Sequence, residues 1–365
     1  MRQSFDLPEL PPQIDLAKHI GVISTAHEAI ARYDEAQKRL INPEIIVLPM
    51  ASLEAQKSSS IEGTQATYSD FIKGEENPDV NTEKGKDIQE IGNYRRAIID
   101  SKKLLEKRPL SENVIKDLNR ILLNSVRGAN RTPGEFRDYQ VHIGRPGATL
   151  DEASYVPPSQ LEIPRLFSNL VNYTQDDSQP DRLVQAAVMH YQFEAIHPFG
   201  DGNGRTGRIM IPVYLYEKKV TSEPNMYISE FINKYRRDYY DSLRGVSESG
   251  DWDTWIDFFL TALREQAKTL KTRIDAINRL YDRYIHMSSE FSSKYAPDFI
   301  DVMFKRQIFT VNDVVLMAGI PASSVYGLID KFVSKGVIVE DGYSNSKRQF
   351  KFGELIGIVE GVSAG

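Results

Sequence analysis

The sequence predicts a mainly α-helical protein with one small β-hairpin and a separate C-terminal unit. Over most of its 365 residues, apolar side chains recur at intervals of three and four, which is the period of an amphipathic helix. Glycine and proline concentrate in residues 131–160, where a short alternating piece near residues 141–143 indicates a hairpin. The C-terminal part differs again, because short helical patterns are followed there by two β-rich pieces.

The composition is typical of a soluble globular protein. Apolar residues make up 41% of the chain, and the formal net charge is −6. No apolar run reaches the roughly 18 residues of a membrane-spanning helix, and the N-terminus lacks the apolar core of a secretory signal. The absence of cysteine excludes disulfides, thiolate metal sites and a cysteine nucleophile. We therefore expect a cytoplasmic protein without a general attraction to nucleic acid or membranes.

The predicted elements follow in order along the chain. Residues 15–40 show helical spacing, and the sequence NPE at residues 42–44 is typical of a helix start. Residues 309–352 show a short helix, a turn at Gly319, a second helix and two β-rich pieces, which is the order of a winged helix-turn-helix. The other helical patterns cover residues 82–107, 110–126, 163–174, 181–196, 208–220, 228–243 and 251–287.

The segment HPFGDGNGRTGR, residues 197–208, allows three interpretations. Glycine, asparagine and aspartate clusters are most often ordinary turns. Gly202, Gly204 and Gly207 also match the G-x-G-x-x-G pattern of dinucleotide sites, but such a site follows a strand, and here a helical pattern precedes it. The third interpretation is a phosphate-binding nest, in which glycines let backbone N–H groups converge on an anion.

The side chains around the nest favour the phosphate-binding interpretation. A helix starting within residues 203–208 would direct its positive end at the same anion. Arg205 and Arg208 are three residues apart, so they share a helix face and can clamp neighbouring phosphates. Asp201 offers an oxygen ligand suited to Mg²⁺, and His197 offers a base that is mostly neutral at cellular pH. Since no nucleophile lies in this segment, the attacking group is expected to be a hydroxyl of the substrate.

The same segment resembles the signature of the Fic family, His-Pro-Phe-x-[Asp/Glu]-Gly-Asn-Gly-Arg-x-x-Arg, with every specified position filled. The segments LPELPPQIDL and SSSIEGTQAT are similar to the N-terminal region of multi-domain bacterial members, and the winged-helix tail is similar to theirs. The resemblance implies a helical Fic core with a β-hairpin flap, an N-terminal helical region and a C-terminal winged helix-turn-helix. The implied domains are residues 1–95, 96–262 (the catalytic core), 263–300 (a connecting helix) and 301–365.

The resemblance implies adenylyl transfer (AMPylation) from ATP to Ser, Thr or Tyr hydroxyls of proteins, including the chain itself. His197 would take the proton of the target hydroxyl, Asp201 would hold Mg²⁺, and Arg208 would reach the γ-phosphate. Asn203, Gly204 and Arg205 would hold the α- and β-phosphates. Gly202, Thr206 and Gly207 complete the implied phosphate-binding set.

The sequence SSSIEG, residues 58–63, has two interpretations. Ser59 and Glu62 have the spacing of a capping box at a helix start. Ser58, Glu62 and Gly63 also resemble the inhibitory motif of the family, [Ser/Thr]-x-x-x-Glu-[Gly/Asn], which the Fic signature makes the favoured interpretation. Glu62 would then pair with Arg208 within the same chain, in the place of the γ-phosphate.

Further positions follow from the resemblance. Tyr239 and Tyr240 match a tyrosine pair that lines the adenine pocket, although tyrosines at helical spacing are more often part of a core. Ile143 and Gly144 match the flap that pairs with the target segment. His190 lies on an apolar helix face, which favours a structural role.

Three alternatives remain open from the sequence. The same core could remove AMP or transfer another phosphate-containing group, because a fold does not fix a function. The chain could instead be a nucleotide-sensing, DNA-binding regulator. Acidic residues lie among the tail's cations, however, so a dimer or target-docking module is favoured over DNA binding. The cations in question are Lys331, Lys335, Lys347, Arg348 and Lys351.

Overall fold

The structure is a computed structural model that describes residues 7–40, 42–75, 78–145, 147, 149–344 and 347–361. Its α-helices are α1 (Ile20–Lys38), α2 (Glu44–Ile61), α3 (Tyr68–Gly74), α4 (Glu83–Leu105), α5 (Glu112–Leu122), α6 (Ile163–Gln175), α7 (Arg182–Ile196), α8 (Asn203–Glu217), α9 (Ser229–Lys234), α10 (Arg236–Ser249), α11 (Trp252–Met287), α12 (Ala296–Lys305), α13 (Val311–Ala318), α14 (Ala322–Ser334) and α15 (Gly353–Glu360). Its strands are β1 (Ile308–Thr310), β2 (Val339–Ser344) and β3 (Lys347–Lys351). The mainly α fold class is therefore confirmed.

Helices α7 and α8 form the centre of the molecule. Nearly all their residues are buried, and they pack against each other and against α6, α11, α4 and α5. Both helices are buried around most of their circumference, because other helices enclose them. The Asp181 carboxylate caps the start of α7 by accepting the N–H groups of Leu183 and Val184, at 2.9 and 3.0 Å. The chain between α7 and α8 is the glycine-rich segment, so the fold holds it at both ends.

Helix α2 is also a core element. Most of its side chains are buried, and it packs against α3, α4, α8, α9, α12 and α15. It ends in a Schellman motif, because the Gly63 N–H donates to the Ser60 carbonyl at 3.1 Å and the Thr64 N–H donates to the Ser59 carbonyl at 3.2 Å. Gly63 has a φ of +103° there. Ser59 and Glu62 therefore lie at a helix end, and the capping-box interpretation is wrong.

Two further expectations need correction. The predicted hairpin is a single antiparallel bridge between Ile143 and Tyr155, since the glycine- and proline-rich sequence around it does not extend the ladder. The single helix expected over residues 228–243 divides at Tyr235, where φ is −111° and ψ is +41°.

The C-terminal unit has the predicted order of elements. Gly319, with a φ of +64°, separates α13 from α14, and the three antiparallel strands lie in the order β1-β3-β2. The unit packs on the N-terminal region, because the buried Tyr68 hydroxyl donates to Gln307 Oε1 at 2.9 Å and Lys305 pairs with Glu44 at 2.6 Å. In the ranges described above, no helix has the length and apolar character needed to cross a membrane.

The Schellman motif predicts opposite effects for two glycine-to-alanine changes. Gly63→Ala should lower the free energy of unfolding by about 1–2 kcal/mol, because an L-residue is strained at positive φ even where, as here, no atom lies near the added Cβ. Gly327→Ala is the matched control, since Gly327 lies inside α14 with open space around it, and it should raise stability by about 0.5–1 kcal/mol. Urea unfolding followed by circular dichroism measures both. Equal shifts of the same sign would contradict the motif.

Candidate active site

His197 lies where α7 ends, in a left-handed backbone conformation with φ +49° and ψ +60°. Its Nδ1 lies 3.4 Å from the Glu194 carbonyl oxygen, which can only accept, so Nδ1 carries the proton in this contact. The Nε2 lone pair is then available as a base. Burial lowers the pKa of His197 to about 4, so the imidazole is neutral at physiological pH.

The buried Arg137 holds the backbone of the histidine loop, which the sequence did not reveal. Its Nε donates to the His197 carbonyl at 2.9 Å, and its Nη1 and Nη2 donate to the carbonyls of Tyr139 and Pro158 at 3.0 and 2.7 Å. The Arg137 N–H also donates to the Pro198 carbonyl at 2.9 Å. One guanidinium thus satisfies several buried carbonyls and fixes the uncommon backbone conformation of His197.

The Asn203 side chain closes the loop between α7 and α8. Its Oδ1 accepts the Phe199 N–H at 2.9 Å, and its Nδ2 donates to the Phe199 carbonyl at 2.8 Å. Both side-chain groups are therefore engaged within the loop, and Asn203 offers its backbone N–H to the start of α8. The Phe199 ring is buried against Phe193 and Phe136, which anchors the loop on the core.

The start of α8 is open to an anion. Its N-cap residue, Gly202, has a φ of +75° and provides no side-chain cap for the first-turn N–H groups. A Cβ on Gly204 would overlap Glu62 Oε1, so the missing side chain leaves room for a carboxylate over the first turn. The structure therefore places a negative group where a helix N-terminus attracts one.

Arg208 receives that carboxylate. The Arg208 side chain is 1% exposed, its Nη2 lies 2.6 Å from Glu62 Oε1, and its Nε and Nη2 donate to the Oγ and carbonyl of Ser58 at 2.8 and 3.1 Å. Burial acts to raise the pKa of Glu62, but the charge and hydrogen bond of Arg208 outweigh it, so the pKa lies below its ordinary value. The fold thus brings together Ser58, Glu62 and Arg208, as the motif comparison predicts.

Arg205 points toward the other side of the loop. Its Nη2 lies 3.2 Å from Asp201 Oδ1 and its Nη1 lies 3.3 Å from Glu90 Oε2. Its Nε is buried and has no hydrogen-bond partner among the residues that the structure describes. A buried donor without a partner in a charged site is expected to serve a ligand.

A network of charges links the two sides of the site, and no pattern in the sequence indicates it. Asp87 Oδ2 accepts the N–H groups of Gln65 and Ala66, which follow Gly63 and the end of α2, at 2.8 and 3.2 Å. Arg127 pairs with both Asp87 and Glu90. Since Glu90 also contacts Arg205, the network connects the end of α2 with the loop between α7 and α8.

Thr206 and Gly207 face the protein interior instead of the start of α8. Thr206 Oγ1 accepts from Asn119 Nδ2 at 3.2 Å, and the same amide donates to the Asp201 carbonyl at 3.1 Å. A Cβ on Gly207 would overlap the Glu194 carboxyl. These two positions therefore shape the loop and the space beside it.

A cavity of about 380 Å³ lies between the end of α7, α10 and the Ile143–Tyr155 bridge. Ile143, Gly144 and Tyr240 line it, as the family resemblance predicts for flap and adenine-side positions. Tyr239 is buried below the cavity, where its hydroxyl lies 2.9 Å from His190 Nε2. The predicted tyrosine pair is thus divided, and only Tyr240 reaches the cavity.

The sequence predicts a magnesium ligand at Asp201, whose side chain is 39% exposed next to the start of α8. Within the described part of the chain, no cluster of three or more acidic or histidine side chains could hold an ion alone. Mg²⁺ commonly binds through one or two carboxylates, with phosphates and water completing its shell. Asp201 fits that mode of binding, in which the nucleotide supplies the other ligands.

Comparisons with known proteins place the chain in a family. The profile of the Fic/DOC family matches residues 109–215, and the profile of the Fic/DOC family N-terminal region matches residues 20–101. The fold is similar to the crystal structure of a Fic family protein from Desulfovibrio desulfuricans G20, with a TM-score of 0.60 and 19% identity over 94% of this chain and 98% of that one. The chain belongs to the Fic/DOC family.

Curated relatives share part of the chain. "Probable protein adenylyltransferase aq_aa38" of Aquifex aeolicus (strain VF5) is 38% identical over 65 residues, which is 18% of this chain. "Protein adenylyltransferase Fic" of Culex quinquefasciatus is 29% identical over 163 residues, which is 44% of this chain. The matched regions span 20% and 26% of the relatives' own lengths.

The position of Arg137 predicts a large effect for a conservative change. Arg137→Lys should lower the free energy of unfolding by about 2–4 kcal/mol, because a lysine cannot reproduce the fork that bonds three carbonyls and would leave buried acceptors unpaired. Arg131→Lys is the matched control at an exposed position of the same loop and should change stability by less than about 0.5 kcal/mol. Urea unfolding measures both variants. A loss for Arg137→Lys no larger than for the control would contradict this role.

Proposed function

We propose that the chain is a protein adenylyltransferase that moves AMP from ATP to hydroxyl side chains of proteins and is restrained by its own Glu62. The observation that carries the proposal is the anion site at the start of α8, where Glu62 and the buried Arg208 meet. The curated relatives named above, which carry the name protein adenylyltransferase, support the reaction class.

The phosphates of ATP would bind over the first turn of α8. The uncapped N–H groups of Asn203, Gly204 and Arg205 form the helix end that favours phosphate, and the unpaired Nε of Arg205 is a further donor. Arg208 would take the γ-phosphate in place of Glu62. When bound with ATP at Asp201, Mg²⁺ would neutralise part of the phosphate charge.

His197 would act as the general base. Its Nε2 takes the proton of the target hydroxyl while that oxygen forms a bond to the α-phosphorus of ATP. The bond between the α-phosphorus and the bridging oxygen to the β-phosphate breaks, and pyrophosphate leaves. Ser, Thr and Tyr hydroxyls, including those of this chain, are the proposed acceptors. Positioning and charge neutralisation supply most of the catalysis in such phosphoryl transfers.

Glu62 would act as a brake because its carboxylate and a γ-phosphate compete for Arg208. The two negative groups cannot share the site without strong repulsion. While Glu62 stays in place, it continues to balance the charge of Arg208. ATP would then bind with its phosphates displaced from the position for in-line attack. To relieve the inhibition, the Glu62 side chain has to lose only its contact with Arg208.

Label transfer from α-³²P-ATP with Mg²⁺ tests the base and the brake together. We expect weak self-labelling of the wild type, strong labelling of Glu62→Gly and none of Glu62→Gly/His197→Ala. Glu106→Gly is the matched control, because Glu106 is also the C-cap of a helix, α4, away from the site, and it should label like the wild type.

Other outcomes of the same experiment point to the alternatives. Transfer of label from γ-³²P-ATP but not from α-³²P-ATP to Glu62→Gly would contradict adenylyl transfer and favour phosphate transfer. Removal of AMP from a labelled protein, without any transfer from ATP, would favour the reverse activity. Labelling that survives His197→Ala would contradict the role of the base.

The low pKa of His197 predicts that kcat/KM does not fall as the solution becomes mildly acidic. Because burial holds that pKa at about 4, the imidazole of the free enzyme stays unprotonated as the pH falls through the ordinary histidine value of about 6.5. We expect kcat/KM of Glu62→Gly to change less than about twofold between about pH 5.5 and 7.5, since kcat/KM reports the free enzyme. A steep decline centred near pH 6.5 would contradict this prediction.

The C-terminal unit is proposed to dock protein partners or a second copy of the chain. Several of its cations are already engaged within the chain: Lys335 pairs with Glu290 and Arg348 with Glu340, both at 2.7 Å, and Lys331 donates to the Phe291 carbonyl. These contacts reduce the positive charge available to DNA phosphates. A nucleotide-sensing DNA regulator is therefore less well supported than an enzyme.

A further inference from the structure

The exposed tyrosines of the chain differ in their backbone settings. All eighteen tyrosines lie among the described residues, and four of them are exposed. Tyr240 lines the cavity of the candidate site, and the Tyr235 ring packs on Phe231 with the ring centroids 4.5 Å apart. Tyr343 and Tyr326 of the C-terminal unit are the most exposed, at 67% and 54%. These two are the tyrosines most accessible to another protein molecule.

Tyr343 lies in β2, an outer strand of the three-stranded sheet. Because the strand order is β1-β3-β2, one edge of β2 has no partner strand in the part of the chain that the structure describes. Such an edge presents backbone N–H and carbonyl groups to which another chain can add a strand. Tyr326 lies inside α14, where these groups are bonded within the helix. Of the two tyrosines, only Tyr343 therefore belongs to a segment that can pair with a strand of another molecule.

The hairpin formed by β2 and β3 is accessible around Tyr343. Gly342, Tyr343 and its cross-strand partner Arg348 are all exposed. Two residues before Tyr343, the Asp341 carbonyl accepts from Lys73 Nζ of α3 at 3.0 Å, so the sheet is attached to the N-terminal region at that point. Tyr343 therefore lies beyond the contact with α3, on a part of the hairpin that solvent reaches.

The flap beside the candidate site can accept an extended segment. Ile143 uses both of its backbone groups on Tyr155, because its N–H donates to the Tyr155 carbonyl at 2.8 Å and its carbonyl accepts the Tyr155 N–H at 3.2 Å. The next residue, Gly144, lines the cavity, and its backbone forms no hydrogen bond with any described residue. The N–H and carbonyl of Gly144 are therefore available to a strand that adds to the flap.

We propose that Tyr343 of one copy of the chain is adenylylated by a second copy, whose flap pairs with the outer edge of β2. This inference rests on the proposed function, because it uses the same ATP, Mg²⁺ and His197. The Tyr343 oxygen forms a bond to the α-phosphorus of ATP, and its proton moves to His197 Nε2 of the second copy. The bond from the α-phosphorus to the oxygen that bridges to the β-phosphate breaks, and pyrophosphate leaves.

Contacts within the chain favour a second copy as the enzyme. In this structure β2 pairs with β3, and Ile143 of the flap pairs with Tyr155. The C-terminal unit is attached to α3, because Tyr68 bonds to Gln307 and Lys73 pairs with Asp341 at 2.9 Å. A second copy can pair with the outer edge of β2 while all these contacts stay intact.

Label transfer from α-³²P-ATP with Mg²⁺ between two distinguishable copies tests the inference. The donor is Glu62→Gly/Tyr343→Phe, which has no Tyr343 of its own. The acceptors are inactive full-length chains that carry a larger affinity tag: His197→Ala, His197→Ala/Tyr343→Phe and the matched control His197→Ala/Tyr326→Phe. The control removes a second exposed hydroxyl from the same unit. Circular dichroism checks the folding of each acceptor, and mass spectrometry of the labelled acceptor locates the AMP.

We expect AMP on Tyr343 of the His197→Ala acceptor. Tyr343→Phe should lower the acceptor label at least about 10-fold, because phenylalanine lacks the attacking oxygen, whereas Tyr326→Phe should change it less than about twofold. Equal losses for the two variants, or AMP mainly on another residue of the His197→Ala acceptor, would overturn the inference. Label confined to the donor would overturn it too, since transfer would then not occur between copies.

The outcomes also separate this inference from the proposed function. If the donor labels the Tyr343→Phe acceptor as strongly as the His197→Ala acceptor, adenylyl transfer stands and the assignment of Tyr343 fails. If Glu62→Gly transfers no label from α-³²P-ATP to itself, to the acceptors or to the proteins of a lysate, the proposed function fails and the inference fails with it.

Discussion

The ion pair between Glu62 and Arg208 is the interaction on which the site depends. A guanidinium that is 1% exposed must be compensated, because an isolated buried charge is strongly unfavourable. Ser58 and Glu62 provide that compensation in the structure. Any state in which Glu62 leaves therefore needs another anion near Arg208, and a nucleotide phosphate fulfils that requirement. In the proposed mechanism, Glu62 and the phosphate of the substrate therefore compensate the same buried charge of Arg208.

The position of α2 limits how Glu62 could leave Arg208 in the proposed mechanism. Most side chains of α2 are buried, and the C-terminal unit packs on it through α12 and α15, so removal of the whole helix would expose much of the core. Glu62 itself is the C-cap residue, its side chain is 36% exposed, and the chain reverses at Gly63. Movement of the last turn, or of the Glu62 side chain alone, is thus far less costly than movement of the helix. The bonds from Asp87 to Gln65 and Ala66 set the local resistance to that movement.

Local patterns in the sequence predicted most of the fold and the residues that meet at the start of α8. Helical spacing and caps predicted the principal helices, and the glycine-rich segment predicted the anion site at the start of α8. Contacts between residues distant in sequence were not predictable in this way. Nothing near Tyr239 indicates that its hydroxyl meets His190, and nothing near Arg137 indicates that it holds His197. The S-x-x-E spacing at Ser59 is also that of a capping box, which begins a helix. Here the same residues lie in a Schellman motif, which ends one, and the spacing alone does not distinguish the two.

The two carboxyl groups near Arg208, those of Glu62 and Glu194, differ in charge. One guanidinium balances one anion, so Glu62 is ionised and Glu194 stays neutral while Glu62 is in place. A phosphate that replaces Glu62 brings negative charge to the same point and continues to oppose ionisation of Glu194. The protonated state of Glu194 would then persist when a phosphate takes the place of Glu62. Loss of Glu62 without a replacing anion would leave Arg208 to favour the ionised form of Glu194 instead, which couples the charge of Glu194 to the presence of an anion at Arg208.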